Sequence, residues 1–242
     1  MQPASIIAFT WRAYSCAAGG RYDKTGSARG RRAVMSTSSG AARREVSDRS
    51  SVVSLRAPSL EMLPAYVRAL QGGWSPNTVR NVAAEQLAAI EADPEAFVSG
   101  LNRRGGTIHL HDGSEVARLP DRIGWIVAID RPDRPFVGLI NLRWQEDEAG
   151  RPITDLPGHV LGHVGYTILP EHAGRGYASA ALAAMLAEAR AIGLPWLRIS
   201  CDTDNAASRR IIEKNGGRLL ERFVAPFYGP GERLMFRIDL LP

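Results

Sequence analysis

The feature that most constrains this chain is a glycine-flanked turn set between an apolar stretch and a long amphipathic one. Residues 160–169 read as a strand closed by Pro170. The turn Glu171-His172-Ala173-Gly174-Arg175-Gly176-Tyr177 follows. Apolar residues then recur at 178, 182, 185, 186, 189 and 192, one face of a helix of about four turns. Gly193-Leu194-Pro195 ends it. In such an arrangement the amides of the turn and the first unpaired amides of the helix converge on one spot. Glycine at 174 and 176 lets a ligand approach the backbone closely. The spot favours phosphate or pyrophosphate, and Arg175 offers a charged contact. Taken alone, two glycines before a helix are as well explained by a tight turn.

The surroundings have a definite order. Downstream, 196–201 reads as a strand. Asp204 or Asn205 can cap a helix running to Lys214 or Asn215, with Asp204 favoured as the cap. Gly216-Gly217 provides the exit, and 219–224 and 234–240 read as closing strands. Upstream, 52–56 reads as a strand, and 60–71, 79–92 and 93–101 as helices. Residues 107–110 and a strand after Asp112-Gly113 suggest a hairpin. Strands at 125–129 and 136–144 are joined by the turn Arg131-Pro132-Asp133-Arg134.

These residues carry a resemblance. Ile168-Leu169-Pro170-Glu171-His172 leading into Ala173-Gly174-Arg175-Gly176-Tyr177-Ala178 resembles the acyl-CoA-binding segment of the GNAT superfamily of N-acetyltransferases. Asn205-Ala206-Ala207-Ser208 and Glu213-Lys214-Asn215-Gly216-Gly217 follow in the family's order and spacing. The motifs span about 165–217, and the weaker order of elements extends the likeness to 52–242. The resemblance implies an α/β (α+β) GNAT-like fold, with a mixed, mostly antiparallel, splayed sheet flanked by helices. It implies acetyl-CoA as co-substrate. Backbone groups of Tyr166, Thr167 and Ile168 would line the pantetheine arm and polarise the thioester. Ala173, Gly174, Arg175, Gly176, Tyr177 and Ala178 would cradle the pyrophosphate. Asn205 and Ser208 would contact the pantetheine. An amine would attack the thioester directly, with no covalent enzyme intermediate.

Three positions depart from the family pattern. The first residue of the loop motif, often Gln or Arg, is Ala173. The position of a frequent thiolate-protonating Tyr is Ile212, and that of an occasional general-base Glu is Ser200. The proton-transfer residues must therefore come from elsewhere. His163, flanked by Gly162, suits an amine base by its near-neutral titration, or is a buried, hydrogen-bonded histidine. Asp202 is a base candidate on the strand face of Ser200, or an exposed carboxylate. Tyr166 and Tyr228 are candidate phenol acids, or packing residues with satisfied hydroxyls. Trp74, Trp125 and Trp144 read as core or as pocket walls. His109/His111 and His159/His163 lack a third ligand nearby, so no metal is expected.

Charge excludes one tempting function. The chain has 30 Lys and Arg against 25 Asp and Glu, but nine of the basic and three of the acidic residues fall in the first 50 positions, leaving 21 and 22. A neutral body offers no surface to track nucleic acid. The leader, 1–51, is Ser/Gly/Ala/Arg-rich and expected to be disordered. A basic arm, a transit peptide and a true start at Met35 are the alternatives. No apolar run is long enough to span a bilayer, so no membrane partner is expected. Two cysteines make no disulfide framework, in keeping with a cytoplasmic protein. The expected activity is N-acetyl transfer to a primary amine of unidentified identity. The alternative is a catalytically weak acyl-CoA-binding regulatory module. A homodimer is compatible with the sequence, which does not fix the oligomeric state.

Overall fold

Two long apolar strands organise the molecule. In the computed structural model, which describes residues 52–77, 81–102, 105–109, 114–225, 228 and 231–241, β4 (Asp121–Ala128) pairs antiparallel with β5 (Phe136–Arg143). Both are buried along nearly their whole length, as strands covered on both faces must be. β1 (Val53–Arg56) flanks β4 and β8 (Val164–Ile168) flanks β5, giving the order β1-β4-β5-β8. The leader expected over 1–51 lies outside the described residues.

The two faces of this sheet bury different partners. Trp125, Leu139 and Ile123 point to a cluster built with α1 (Leu63–Gln71), α2 (Ala83–Ala92) and α3 (Pro94–Asn102). There Tyr66 stacks on Trp125 with ring centroids 4.8 Å apart, and Trp74 meets Phe136 edge-on. Ile126, Ala128, Ile140 and Leu142 point instead to α4 (Tyr177–Ile192), whose apolar stripe covers the opposite face. Alternation along each strand thus divides the core into two layers. Trp74, Trp125 and Trp144 are all core residues.

A second sheet follows, β10 (Arg218–Val224), β11 (Glu232–Asp239) and β9 (Trp196–Asp202) in that order, with α5 (Ala206–Lys214) between β9 and β10. Among the described residues every ladder is antiparallel. β8 and β9 form no ladder. Just before β8 the chain meets β9, where the His163 N–H donates to the Arg198 carbonyl, 2.8 Å, without a ladder following.

Some boundaries differ from the sequence reading. α1 starts at Leu63 with Pro64 in its first turn, where a missing N–H costs nothing. α2 starts at Ala83, not 79. β8 starts at Val164, after a bend at His163, and a Cβ added at Gly162 would stand 3.0 Å from the Arg198 carbonyl oxygen. β4 begins four residues earlier than expected, at Asp121. Arg118 pins that end, bridging to the Asp121 carboxylate at 3.0 Å and to the Gly100 carbonyl at 2.8 Å. The hairpin appears as β2 (Thr107–His109) and β3 (Glu115–Ala117). A two-residue ribbon, β6 (Gln145–Glu146) with β7 (Pro152–Ile153), gave no sequence signal.

Candidate active site

The turn after β8 takes the expected form. Leu169 leads into a 3-10 turn, Pro170–His172, and Gly174 and Gly176 adopt φ of 76° and 85°. Those left-handed conformations are strained for any residue with a Cβ. Gly176 is the N-cap of α4, and no side chain caps the helix. The first amide bonded back is that of Ala180, to the Gly176 carbonyl. Among the described residues, the backbone amides from Gly174 to Ser179 have no loop or cap acceptor. Six consecutive donors at a helix N-terminus make an anion cradle. Ala173 is not one of them, since its N–H donates to the Pro170 carbonyl at 3.1 Å. Ser179, overlooked in the sequence, is. Arg175 is exposed beside the turn. Tyr177 is buried and anchors the helix start by donating to Asp130 at 3.2 Å.

The β8 backbone presents one edge to β5 and one to the gap before β9. Arg143 N–H donates to the His163 carbonyl, 2.8 Å, and Leu169 N–H to the Val137 carbonyl, 2.9 Å. Residues 165, 167 and 169 therefore turn their backbone groups towards β5, with the carbonyl of His163, and 164, 166 and 168 turn theirs towards the gap. Tyr166 and Ile168 are turned towards that gap. Thr167 is not: its backbone belongs to the β5 ladder, and its hydroxyl accepts from the Trp74 indole at 3.3 Å on the other face.

Asn205, rather than Asp204, caps α5, its Oδ1 accepting the Ser208 N–H at 3.0 Å. Asn205 and Ser208 are both buried, at 3% and 2% exposure, and Ser208 lines a pocket with Tyr166. Ile212 is fully buried in the α4–α5 core.

At the opposite end of β8 from the turn lies a pocket of about 30 Å³. Gly165, Tyr166, Ser200, Ser208, Arg143 and Tyr228 are among the residues that line it. Burial pushes the Tyr166 phenol well above its ordinary value, outweighing the opposing effect of the Ser208 side chain. Tyr228 is shifted the same way by burial, against the pull of Arg143 and Arg233. Its hydroxyl donates to the His159 carbonyl. The Arg143 guanidinium, which donates to Asn141 Oδ1 at 3.2 Å, has its pKa lowered by burial. Arg143 had no signal in the sequence beyond ending an apolar strand.

Two candidate bases are placed differently from expectation. His163 is fully buried and outside the pocket lining. Its Nδ1 accepts the Arg198 N–H at 2.9 Å, and burial lowers its pKa to about 4. The neutral ring then carries its proton on Nε2, so neither nitrogen has a lone pair to offer an amine. Asp202 lies outside the pocket lining and is ion-paired with buried Arg233 at 2.9 Å. Among the described residues, no group of three His, Cys, Asp or Glu side chains is placed to hold a metal, and no helix is long and apolar enough to cross a membrane.

No curated protein sequence matches the chain significantly. Among solved structures, the microcin C7 self-immunity acetyltransferase MccE, in complex with acetyl-CoA and AMP, is similar in fold: TM-score 0.50, 14% identity, 78% of this chain and 92% of that one. A GNAT-family acetyltransferase from Bacillus anthracis aligns with TM-score 0.48 at 16% identity, covering 78% and 95%. The acetyltransferase from Salmonella typhimurium that modifies the N-terminal serine of ribosomal protein L7/L12 aligns with TM-score 0.47 at 14% identity, covering 79% and 96%. A family model, the acetyltransferase (GNAT) domain, matches residues 74–218. That match takes in more than half of the chain, from the Trp74 cluster through the amide cradle to the end of α5, and the chain belongs to the GNAT family of acetyl-CoA-dependent N-acetyltransferases.

Proposed function

We propose that the protein moves the acetyl group of acetyl-CoA to a primary amine by direct attack within a ternary complex. The observation that carries this reading is that β8, whose 164, 166 and 168 edge is unpaired, runs from the pocket at Tyr166 to the turn whose amides at Gly174–Ser179 lack a loop or cap acceptor. The pyrophosphate binds the cradle. The pantetheine lies in the gap, against the backbone of Tyr166 and Ile168 and the side chains of Asn205 and Ser208. The thioester reaches the pocket, where the amine meets it. Holding both reactants in line is the main catalytic contribution.

The proton inventory supports direct transfer. Cys201 is buried, with its pKa pushed up to about 12 by burial, a poor thiolate for an acyl-enzyme. Tyr166 is protonated at neutral pH and lines the pocket, so it is the acid assigned to the departing thiolate. Asp202 and His163 have no base role in this scheme. The amine loses its proton to water in the pocket mouth.

The test is CoA release from acetyl-CoA across a broad panel of primary amines, with product mass confirming N-acetylation. Turnover with at least one amine and a sequential kinetic pattern is expected. Tight acetyl-CoA binding without turnover of any amine would instead identify a binding module, and ping-pong kinetics would exclude direct attack.

A further inference from the structure

β4 has eight residues and its neighbour β1 only four. The two pair as far as Arg56 opposite Trp125. Continuing that register would set Pro58 opposite Ile123, and a proline has no N–H to give a ladder. The Pro58 carbonyl is taken instead by the Asn102 side chain, 3.0 Å away. The Ile129 N–H donates to the Val52 carbonyl and the Trp144 N–H to the Pro120 carbonyl, which fixes the alternation along β4. Odd-numbered residues turn their backbone groups towards β1, and even-numbered ones towards β5. Asp121 and Ile123 therefore present N–H and C=O groups to the side of the sheet where β1 has already ended. Among the described residues neither amide has a partner in β1 or in a loop.

That edge lines a slot of about 340 Å³, large enough to hold a ligand. Leu101 of α3 belongs to the cluster on one face of the sheet and Met185 of α4 to the cluster on the other, and both line the slot with Leu55 and Ile123. The slot thus opens between the two layers of the core. Its acids and bases are equal in number, Asp121 and Glu188 against Arg56 and Arg122. Asp121 is bridged to Arg118, and Glu188 to Arg122. Such a lining selects no charge. It selects an extended chain, whose backbone meets the open edge. A strand inserted between two layers has both faces covered, and so carries an unbroken apolar run rather than an alternating one.

The chain contains such a run outside the described residues: Ile6-Ile7-Ala8-Phe9, in a leader otherwise rich in Ser, Gly, Ala and Arg. Four residues of strand span about 13 Å, which matches the edge over 121–124. Residues 10–51 join this run to β1 and can reach up to about 140 Å. The distance to cover is roughly 23 Å, from Ala128, where β1 begins, to Asp121. Tethering makes the docking intramolecular, an advantage that no separate peptide has. A second copy offers no equivalent strand. β10, with Leu219, Leu220 and Val224 exposed, is interrupted by a register shift and carries Glu221 and Arg222 at its centre. We propose that residues 6–9 add to the open edge of β4 as a strand in line with β1, filling the slot between α3 and α4. Nothing in this docking depends on the acetyl transfer.

The test is amide hydrogen exchange, read by NMR, on the full chain and on a chain starting at Met35. The Ile123 amide is expected to exchange about tenfold or more slowly in the full chain than in the shortened one. The Leu169 amide, bonded to the Val137 carbonyl across the sheet, should exchange equally in both and reports an intact fold. Ile7→Asp in the full chain sets a carboxylate against the apolar lining and should release Ile123 as the truncation does. That variant also serves if the shortened chain does not fold. Protection of Ile123 that is independent of protein concentration supports docking within one chain. Protection that grows with concentration would mean that the segment of a second copy fills the slot, and would overturn the proposal. Equal exchange of Ile123 in the full and shortened chains, or protection that survives Ile7→Asp, would overturn it as well.

Discussion

His163 and Arg198 exchange two hydrogen bonds: the His163 N–H donates to the Arg198 carbonyl at 2.8 Å, and the Arg198 N–H donates to His163 Nδ1 at 2.9 Å. An imidazole thus stands in for a backbone carbonyl and ends the contact between β8 and β9 after one step. Had a carbonyl followed in register, the two strands would continue as a ladder and close the gap between them. The histidine read from the sequence as a base candidate has its Nδ1 committed to this junction.

This role has a pH signature. The imidazole titrates near 6.5 in the unfolded chain and near 4 in the fold, because burial disfavours its charge. Above 6.5 both states are neutral, and His163 gives no pH dependence. Between 6.5 and 4 the unfolded chain binds a proton that the fold does not, so stability falls as pH falls, by about 3 kcal/mol over the window. Urea unfolding at steps from pH 7.5 to 4.5 should show a steeper acid loss for the wild type than for His163→Gln, which does not titrate. Coincident slopes would remove His163 from the buried neutral state.

Gly138 sets the other end of β8. A Cβ there would stand 2.2 Å from the Thr167 carbonyl oxygen and 2.9 Å from the Ile168 Cα. Both obstacles are backbone, so neither can rotate away. Gly138→Ala should push β8 off β5, lowering stability by about 3 kcal/mol or more and weakening CoA binding with it. Thermal denaturation and calorimetry of the same samples check both, and an unshifted midpoint would contradict the close approach.

What could be read from the sequence was local. The αL glycines, the period of α4 and the stop at Gly193 are each written within a few consecutive residues, and all were recovered. What escaped depends on partners far along the chain. His163 was ambiguous because Arg198, 35 residues away, decides it. Thr167 was misplaced because only the β5 register shows which edge its backbone joins. Asp204 and Asn205 are equivalent as caps by propensity, and the choice fell to Asn205 once Asp202 and Thr203 had finished β9. Arg143 became a site residue only when β5, β8 and Tyr228 were brought to one pocket.

The cradle should be sensitive to backbone and indifferent to side chain. Gly176 has φ of 85° with open space around its Cβ position, so Gly176→Ala meets no clash and only about 1 kcal/mol of conformational strain. If the turn relaxes to relieve it, the amides of 174–179 no longer converge, and the Kd for CoA should rise about tenfold or more. Arg175→Ala removes an exposed charge and should change it about threefold or less. Calorimetric Kd values order the two effects, and a larger loss at Arg175 would reverse the assignment of anion binding to the backbone.

Tyr166→Phe separates chemistry from binding. The hydroxyl is buried, and the phenol's raised pKa comes from burial outweighing the Ser208 side chain, so its removal leaves the ring's packing intact. A neutral buried hydroxyl contributes little net stability, and the midpoint of unfolding should move by about 1 kcal/mol or less. The cofactor contact at this residue is the backbone edge of β8, which the substitution does not touch, so KM for acetyl-CoA should change little. If the phenol protonates the departing thiolate, kcat falls by roughly a hundredfold or more. Because burial raises its pKa, the wild type should show no alkaline loss of kcat attributable to this group at any pH where the fold survives. A kcat that is unchanged in Tyr166→Phe would assign the thiolate's proton to water instead, while leaving the cradle, the gap and the pocket at Arg143 as they are.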